Sequence, residues 1–331
     1  MKIRKLLILV WVVILVTSVQ AQLPIDGVHY PVGLEGLKGG SLPVPGMYFR
    51  DDNLFYTGTS DLPLNFKTSV YLQAPHLTWM TDWKVLGANY GLGVMVPFVY
   101  KETSYINRAI LPNGRTNDFS IGENRFGLGD IEIEPLLLSW HLKQFDFMAT
   151  YALWLPTGHY EESGMVNLGN DRWAHMVTLG GVWYPDEAKT WAFSVLNRLE
   201  LNSQKLGTRT DSLPNGRTTV SSESVSCSTY VLEWGISKTI FKKSDIGIIG
   251  YYQEQFIGRD QNDTVFFSLP SGGQIISTRQ SNGSRVAGIG PEVRTQISRW
   301  GLSASLRYAY EFLADNRPQG HTIALTLTKI F

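Results

Sequence analysis

Apolar residues recur at every second position through segment after segment of this 331-residue chain. In "WGLSASLRYAYEF", Trp300, Leu302, Ala304, Leu306, Tyr308, Tyr310 and Phe312 share one face, with Gly301, Ser303, Ser305, Arg307 and Glu311 on the other. Successive side chains of a strand leave the backbone on opposite sides, so such patterning specifies ribbons with one greasy and one polar face. "WAFSVLNRLEL" sets Trp191, Phe193, Val195, Leu199 and Leu201 against Ser194, Arg198 and Glu200, and "DIEIEPLL" alternates Asp130, Glu132 and Glu134 with Ile131, Ile133 and Pro135. Hardly any window places apolar residues at three-and-four spacing, so helix is not expected. The spacing predicts roughly twelve strands, over 47–57, 65–78, 84–101, 124–140, 143–155, 172–184, 188–202, 226–240, 244–257, 284–297, 299–313 and 319–331.

The connections fall into two kinds. "TDWK" and "PDEAK" read as short breakers, whereas "ETSYINRAILPNGRTND", "NSQKLGTRTDSLPNGRTTVSSE" and "GRDQNDTVFFSLPSGGQIISTRQSNG" read as long polar loops. Short turns at one end and long loops at the other describe a transmembrane barrel. A soluble sandwich would also satisfy the mid-strand charges, because one face of each of its strands meets water. Two features favour the membrane. Aromatic residues cluster near strand ends, as at Trp173, Trp183 and Tyr184, at Trp191, and at Trp300 and Phe312, where an interfacial girdle would need them. The mean hydropathy is near neutral, as expected when only alternate residues meet lipid. The fold expected is all-β, a transmembrane antiparallel up-and-down barrel of about twelve strands. The final stretch "HTIALTLTKIF" fits the closing strand, with Ile323, Leu325, Leu327 and Phe331 toward lipid and Lys329 near the interface.

The amino terminus reads MKIRK, then LLILVWVVILV, then TSVQA. A basic start, a short apolar run and small residues describe a signal peptide over 1–21, cleaved after Ala21. The apolar run falls short of the about 20 residues that a spanning helix needs. Without Lys2, Arg4 and Lys5 the 29 basic residues fall to 26 against 29 acidic ones, which gives no basic surface for nucleic acid. Cys227 is the only cysteine, so no intramolecular disulfide can form.

"HYPVGLEGLKGGSLPVPGMYFR" (29–50), "RFGLGDIEIEPLLLSWH" (125–141), "WLPTGHY" (154–160), "GPEV" (290–293) and the closing "NRPQGHTIALTLTKIF" resemble the outer-membrane family named for the meta-pathway of phenol degradation. The resemblance implies residence in the bacterial outer membrane and a role in handling small hydrophobic or aromatic compounds. A terminal Phe331 behind alternating apolar residues also resembles the assembly signal of such barrels, which makes the barrel assembly machinery and outer-membrane lipid the expected partners.

Two groups of residues are candidate sites. Residues 22–46 precede the barrel, assigned to 47–331, and are dense in glycine and proline, which argues for an irregular segment. It would form either a periplasmic lid or a lumen insert that gates the pore, with Tyr30, Glu35, Lys38, Tyr48 and Arg50 as gate residues. A phosphate loop does not fit, because Lys38 is followed by Gly39 rather than Ser or Thr. The second group comprises the mid-strand charges Asp130, Glu132, Glu134, Arg198, Glu200, Glu292, Arg294, Arg307 and Glu311. These would pair across strands and stiffen a filled lumen, or line a polar constriction in which Arg198, Arg294 and Arg307 attract anions.

Signals of catalysis are poor. No GxSxG or HExxH occurs, and six scattered histidines lack metal-ligand spacing. His175 beside Trp173 is the one candidate for an outer-membrane hydrolase, and Asp260 and Asp263 of "GRDQNDT" for calcium, against the commoner reading of a solvated loop. No enzyme activity, cofactor or metal is expected. The functional expectation is a passive path for small hydrophobic or aromatic solutes, with a structural or adhesive barrel whose lumen is plugged as the alternative.

Overall fold

The computed structural model describes residues 28–60, 65–110, 116–161, 166–203, 212–213, 216–217, 227–241, 243–257, 262–268, 274–280, 283–297 and 301–331. The expected signal peptide, Trp300, most of the loop 203–226 and Asp260 of the calcium candidate lie outside this account, and of Asp263 only the backbone is described.

The strands are β1 (Gly46–Ser60), β2 (Asn65–Val85), β3 (Ala88–Met95), β4 (Phe98–Ile110), β5 (Thr116–Leu128), β6 (Ile131–His141), β7 (Phe145–Leu155), β8 (Ala174–Trp183) and β9 (Trp191–Asn202). After them come β10 (Ser212–Leu213), β11 (Gly216–Arg217), β12 (Cys227–Ile240), β13 (Ser244–Ile257), β14 (Asn262–Ser268), β15 (Gln274–Gln280), β16 (Arg285–Ile297), β17 (Leu302–Asp315) and β18 (Gln319–Ile330). The pairs β10–β11 and β14–β15 are small separate hairpins. The rest form one antiparallel sheet that closes on itself, because β1 pairs with β2 on one side and with β18 on the other, from Tyr48↔Ile330 to Thr59↔Gln319. Closure leaves no strand edge in the hydrocarbon, where unpaired backbone groups would cost several kcal/mol each.

Fourteen elements make twelve staves. β3 and β4 are halves of one strand, interrupted at Val96 and Pro97, and β5 and β6 are halves of another, interrupted at Gly129 and Asp130. Proline has no N–H to give the ladder, and the Pro97 carbonyl accepts instead from the Gly129 N–H at 2.8 Å. A second irregularity lies between Ile133 and Leu136, around Pro135. The extra residue re-phases the strand, so Ile133 faces out while Leu137 is fully buried inside.

Two expectations about connections need correction. "TDWK" does not break the chain but lies inside β2, which runs on to Val85; the turn is Leu86–Gly87, with φ of 51° and 80°. Two left-handed residues in succession make the tight hairpin that matches strand twist. Much of the expected loop over 102–118 is the β4–β5 hairpin, from Phe98↔Leu128 to Ile110↔Thr116.

Connections at 86–87, 142–144, 184–190, 241–243 and 298–301 gather at one end of the barrel, and the longer ones at 156–173, 203–226 and 258–284 at the other. Outward faces carry the apolar residues the alternation assigns there: Ile323, Leu325 and Leu327 on β18, Leu306, Tyr308, Tyr310 and Phe312 on β17, Phe193, Val195, Leu199 and Leu201 on β9, and terminal Phe331. The inward faces bury charges, hydroxyls and small residues.

Candidate functional site

Residues 28–45 run through the barrel interior, and their contacts trace a path from the long-loop end to the short-turn end. At the long-loop rim the His29 ring, fully buried, lies with Nδ1 2.9 Å from Glu200 Oε1 and Nε2 3.3 Å from Asp130 Oδ2. Burial opposes the charged imidazolium there, but hydrogen bonding to Asp130 and Glu200 outweighs it and raises the His29 pKa to about 9. Asp130 also caps the neighbouring loop, accepting from the N–H groups of Gly158 (2.9 Å) and Asn170 (2.7 Å).

One residue on, Tyr30 is buried in an apolar belt with Leu34 of the same segment and Leu54, Leu72, Met95, Trp154 and Met176 of the wall. Its hydroxyl donates to Glu233 Oε2 at 2.8 Å, and the Arg198 guanidinium carbon sits 4.1 Å from the ring centroid. Gly33 then turns with φ of 84°, in the left-handed region that favours glycine. That turn aims its N–H at Glu233 Oε1, 2.9 Å away, and a Cβ there would stand 3.0 Å from the Tyr251 ring.

Glu35 is the central latch. Arg50 Nη1 donates to both its oxygens at 3.0 Å, and Arg198 Nη2 lies 3.4 Å from Oε1. Arg50 also meets Asp52 (2.7 Å), and Asp52 lies 3.6 Å from Arg307, itself bonded to Thr326. The chain continues with Leu37 N–H to Glu292 (2.8 Å), Lys38 to Asp245 (2.8 Å), Gly40 N–H to Ser194 (2.9 Å) and Ser41 to Asp146 (2.9 Å). A Cβ on Gly40 would fall 2.5 Å from the Gly181 carbonyl oxygen, so only glycine lets the backbone lie this close to the wall.

Below the latch the lumen is hollow. A cavity of 530 Å³ is lined by Glu35, Leu42 and Val44 of the amino-terminal segment and by Arg50, Arg294 and Arg307 of the wall, among others. His76 and Glu134 pair at its side at 2.8 Å.

The residues singled out from sequence distribute accordingly. Arg198, Glu200, Asp130 and Glu292 hold the segment; Arg307 holds Asp52; Glu134 and Arg294 line the hollow part. Glu132 is buried opposite Trp154 across β6 and β7. Glu311 lies in the long-loop half, accepting from Tyr56 (2.9 Å), Tyr251 (3.3 Å), Arg317 (3.3 Å) and the Gly320 N–H (3.0 Å). Tyr48 stays on β1 and donates to the Val44 carbonyl. Sequence reasoning passed over Glu233, Asp52, Asp146, Asp245 and His29; the signal for Glu233 was present, an acid in phase with Val231 in "YVLEWGI". His175 lies outside the barrel, with Nδ1 2.7 Å from the Tyr151 hydroxyl. Among the described residues, no group of three or more histidine, cysteine, aspartate or glutamate side chains has the geometry to hold a metal ion.

The sequence of residues 51–327 matches the family described as "Putative MetA-pathway of phenol degradation". The chain belongs to this family. No curated protein matches the sequence. An outer membrane channel from Pseudomonas putida F1 shares its fold with a TM-score of 0.62 over 91% of this chain and 99% of its own, at 14% identity. The β-domain of the Bordetella autotransporter BrkA covers 87% of this chain with all of its own length, at 13% identity and a TM-score of 0.46. This member of the phenol-degradation family is an outer-membrane β-barrel with channel-like architecture, and the bacterial outer membrane is its location.

Proposed function

We propose that the protein is a passive outer-membrane path for small hydrophobic or aromatic solutes, and that residues 28–45 are a displaceable gate within it. One observation carries this reading: the 530 Å³ hollow is lined on one side by residues 35–44, a stretch of chain that is not a strand, so this filling can leave without opening the wall. Pore-lining candidates are Glu134, Arg294 and Arg307 in the hollow half. Tyr30, Glu35 and Lys38 hold the gate from its own side, with Arg50, Arg198, Glu200 and Glu292 as receptors on the wall. The expected partners are outer-membrane lipid, the barrel assembly machinery and the solutes themselves.

The test compares the mature chain with a variant lacking residues 28–45, reconstituted in planar bilayers and liposomes. The variant is expected to conduct steadily and to admit aromatic solutes faster than the parent. Permeability at the empty-vesicle level after the deletion would end the transport reading. The second reading, a structural barrel with a permanently filled lumen, draws on the buried pairs Arg50–Asp52 and Arg307–Asp52, which stiffen the wall without the segment. The hydrolase alternative has the weakest support, since His175 bonds to a tyrosine phenol and not to a serine hydroxyl.

A further inference from the structure

The segment that stops the lumen carries a phenol of its own. Tyr30 places an aromatic ring among apolar side chains, its hydroxyl on a carboxylate and a guanidinium over its face. The polar receptors and most of the apolar ones belong to the wall, not to the segment: Glu233 is on β12, Arg198 on β9, and Leu54, Leu72, Trp154 and Met176 on the surrounding staves, with Leu34 and Val32 of the segment completing the belt. The wall is therefore built to receive a ring bearing one hydrogen-bond donor. Small side chains at Ala74, Ala152, Ala174 and Ala324 in the same belt keep space for the ring at this level.

We infer that the space filled by Tyr30 is a binding site for neutral phenols, and that the tyrosine is its resident occupant. This rests on the gate reading above and names the solute class that gate would admit. A phenol that enters would donate its hydroxyl to Glu233 and take the place of the Tyr30 ring beneath Arg198. The chemistry selects. A hydrocarbon ring of the same shape leaves a buried carboxylate without its donor, and sites built to bond a hydroxyl reject analogues that lack it. An aromatic carboxylate brings a negative charge against Glu233, with Arg198 already shared between Glu233 and Glu35. Cation–π attraction to Arg198 favours electron-rich rings, which phenols are.

The experiment uses 4-methylphenol, which is the Tyr30 side chain cut from its backbone, with toluene and 4-methylbenzoate as controls. Titration calorimetry is run on the full mature chain in detergent micelles, on Tyr30→Ala, and on Tyr30→Ala with Glu233→Gln. Tyr30→Ala is expected to bind 4-methylphenol saturably at one site, and at least about tenfold more tightly than toluene, 4-methylbenzoate or the parent chain with 4-methylphenol. Adding Glu233→Gln should weaken that binding by about tenfold, the effect of losing a charge-assisted hydrogen bond. Heat-dependent gel migration checks that each variant remains a folded barrel. Should Tyr30→Ala unseat the segment, the variant lacking residues 28–45 retains every wall receptor and must bind 4-methylphenol as well. A folded variant that gives no saturable binding overturns the inference, as does equal binding of toluene. Conductance of the deletion variant is a separate readout, so a barrel that conducts but ignores phenols sinks this inference alone.

Discussion

The two halves of the lumen are lined by the same twelve staves yet filled in opposite ways. In the long-loop half, Tyr30 and Leu34 complete an apolar belt, and Glu311 collects four donors. In the short-turn half, arginines and carboxylates stand around a hollow of 530 Å³. The difference teaches where obstruction resides. Glu311 ties together neighbouring staves on one side of the bore, whereas the space between the walls is occupied by a segment joined to them through a few latches.

The widest test strikes what both halves share, the wall itself. Leu325→Arg puts a cation on the lipid face and is expected to cost about 2–4 kcal/mol in urea unfolding from lipid vesicles. Thr328→Arg, on the lumen side next to the hollow, should cost far less; similar losses for both would mean that the inside–outside assignment of β18 is wrong. Next comes the latch. Glu35→Ala leaves Arg50 and Arg198 one partner short and should weaken seating of the segment by about 1–3 kcal/mol. Faster amide exchange confined to residues 28–45 would register this, and uniform exchange across the barrel would contradict a separable segment.

A smaller effect is expected at the rim. The raised His29 pKa means that its stabilisation is complete below the ordinary histidine value of about 6.5 and is lost as pH rises through about 9. Open probability should therefore climb above pH 9 in the parent and not in His29→Gln; identical profiles would remove His29 from the clamp. The smallest effect is the control. Lys143 and Glu187 pair at 2.8 Å on the exposed short-turn surface, and Glu187→Gln should leave both unfolding and conductance unchanged.

The lipid face was legible in the sequence because the bilayer imposes a strict period of two. Ile323, Leu325 and Leu327, or Phe193, Val195 and Leu199, announce their side directly. Irregularities inside that pattern were not. "TDWK" has the composition of a turn, yet Trp83 points outward near the end of β2 and the reversal waits for Leu86 and Gly87. Pro97 and Pro135 mark the interrupted staves, but a proline does not say whether a strand ends there or resumes. The charged residues could be named from alternation, though not paired. Arg50 meets Glu35 nearby in sequence, while Tyr30 reaches Glu233 and Leu37 reaches Glu292 across more than two hundred residues. A glycine- and proline-rich segment has no period from which its path could be read, so a lid below the barrel and an insert within it looked alike.

Gly46 joins the inserted segment to β1 at the short-turn mouth, and this sets the direction in which the segment can leave. Drawn down and out, it would dangle in the periplasm on a leash of roughly 60 Å, at about 3.3 Å per residue. A cork on so short a string is never diluted away. It would stay near the opening at an effective concentration in the millimolar range, so reclosure would be a first-order return whose rate does not depend on how many copies the membrane holds.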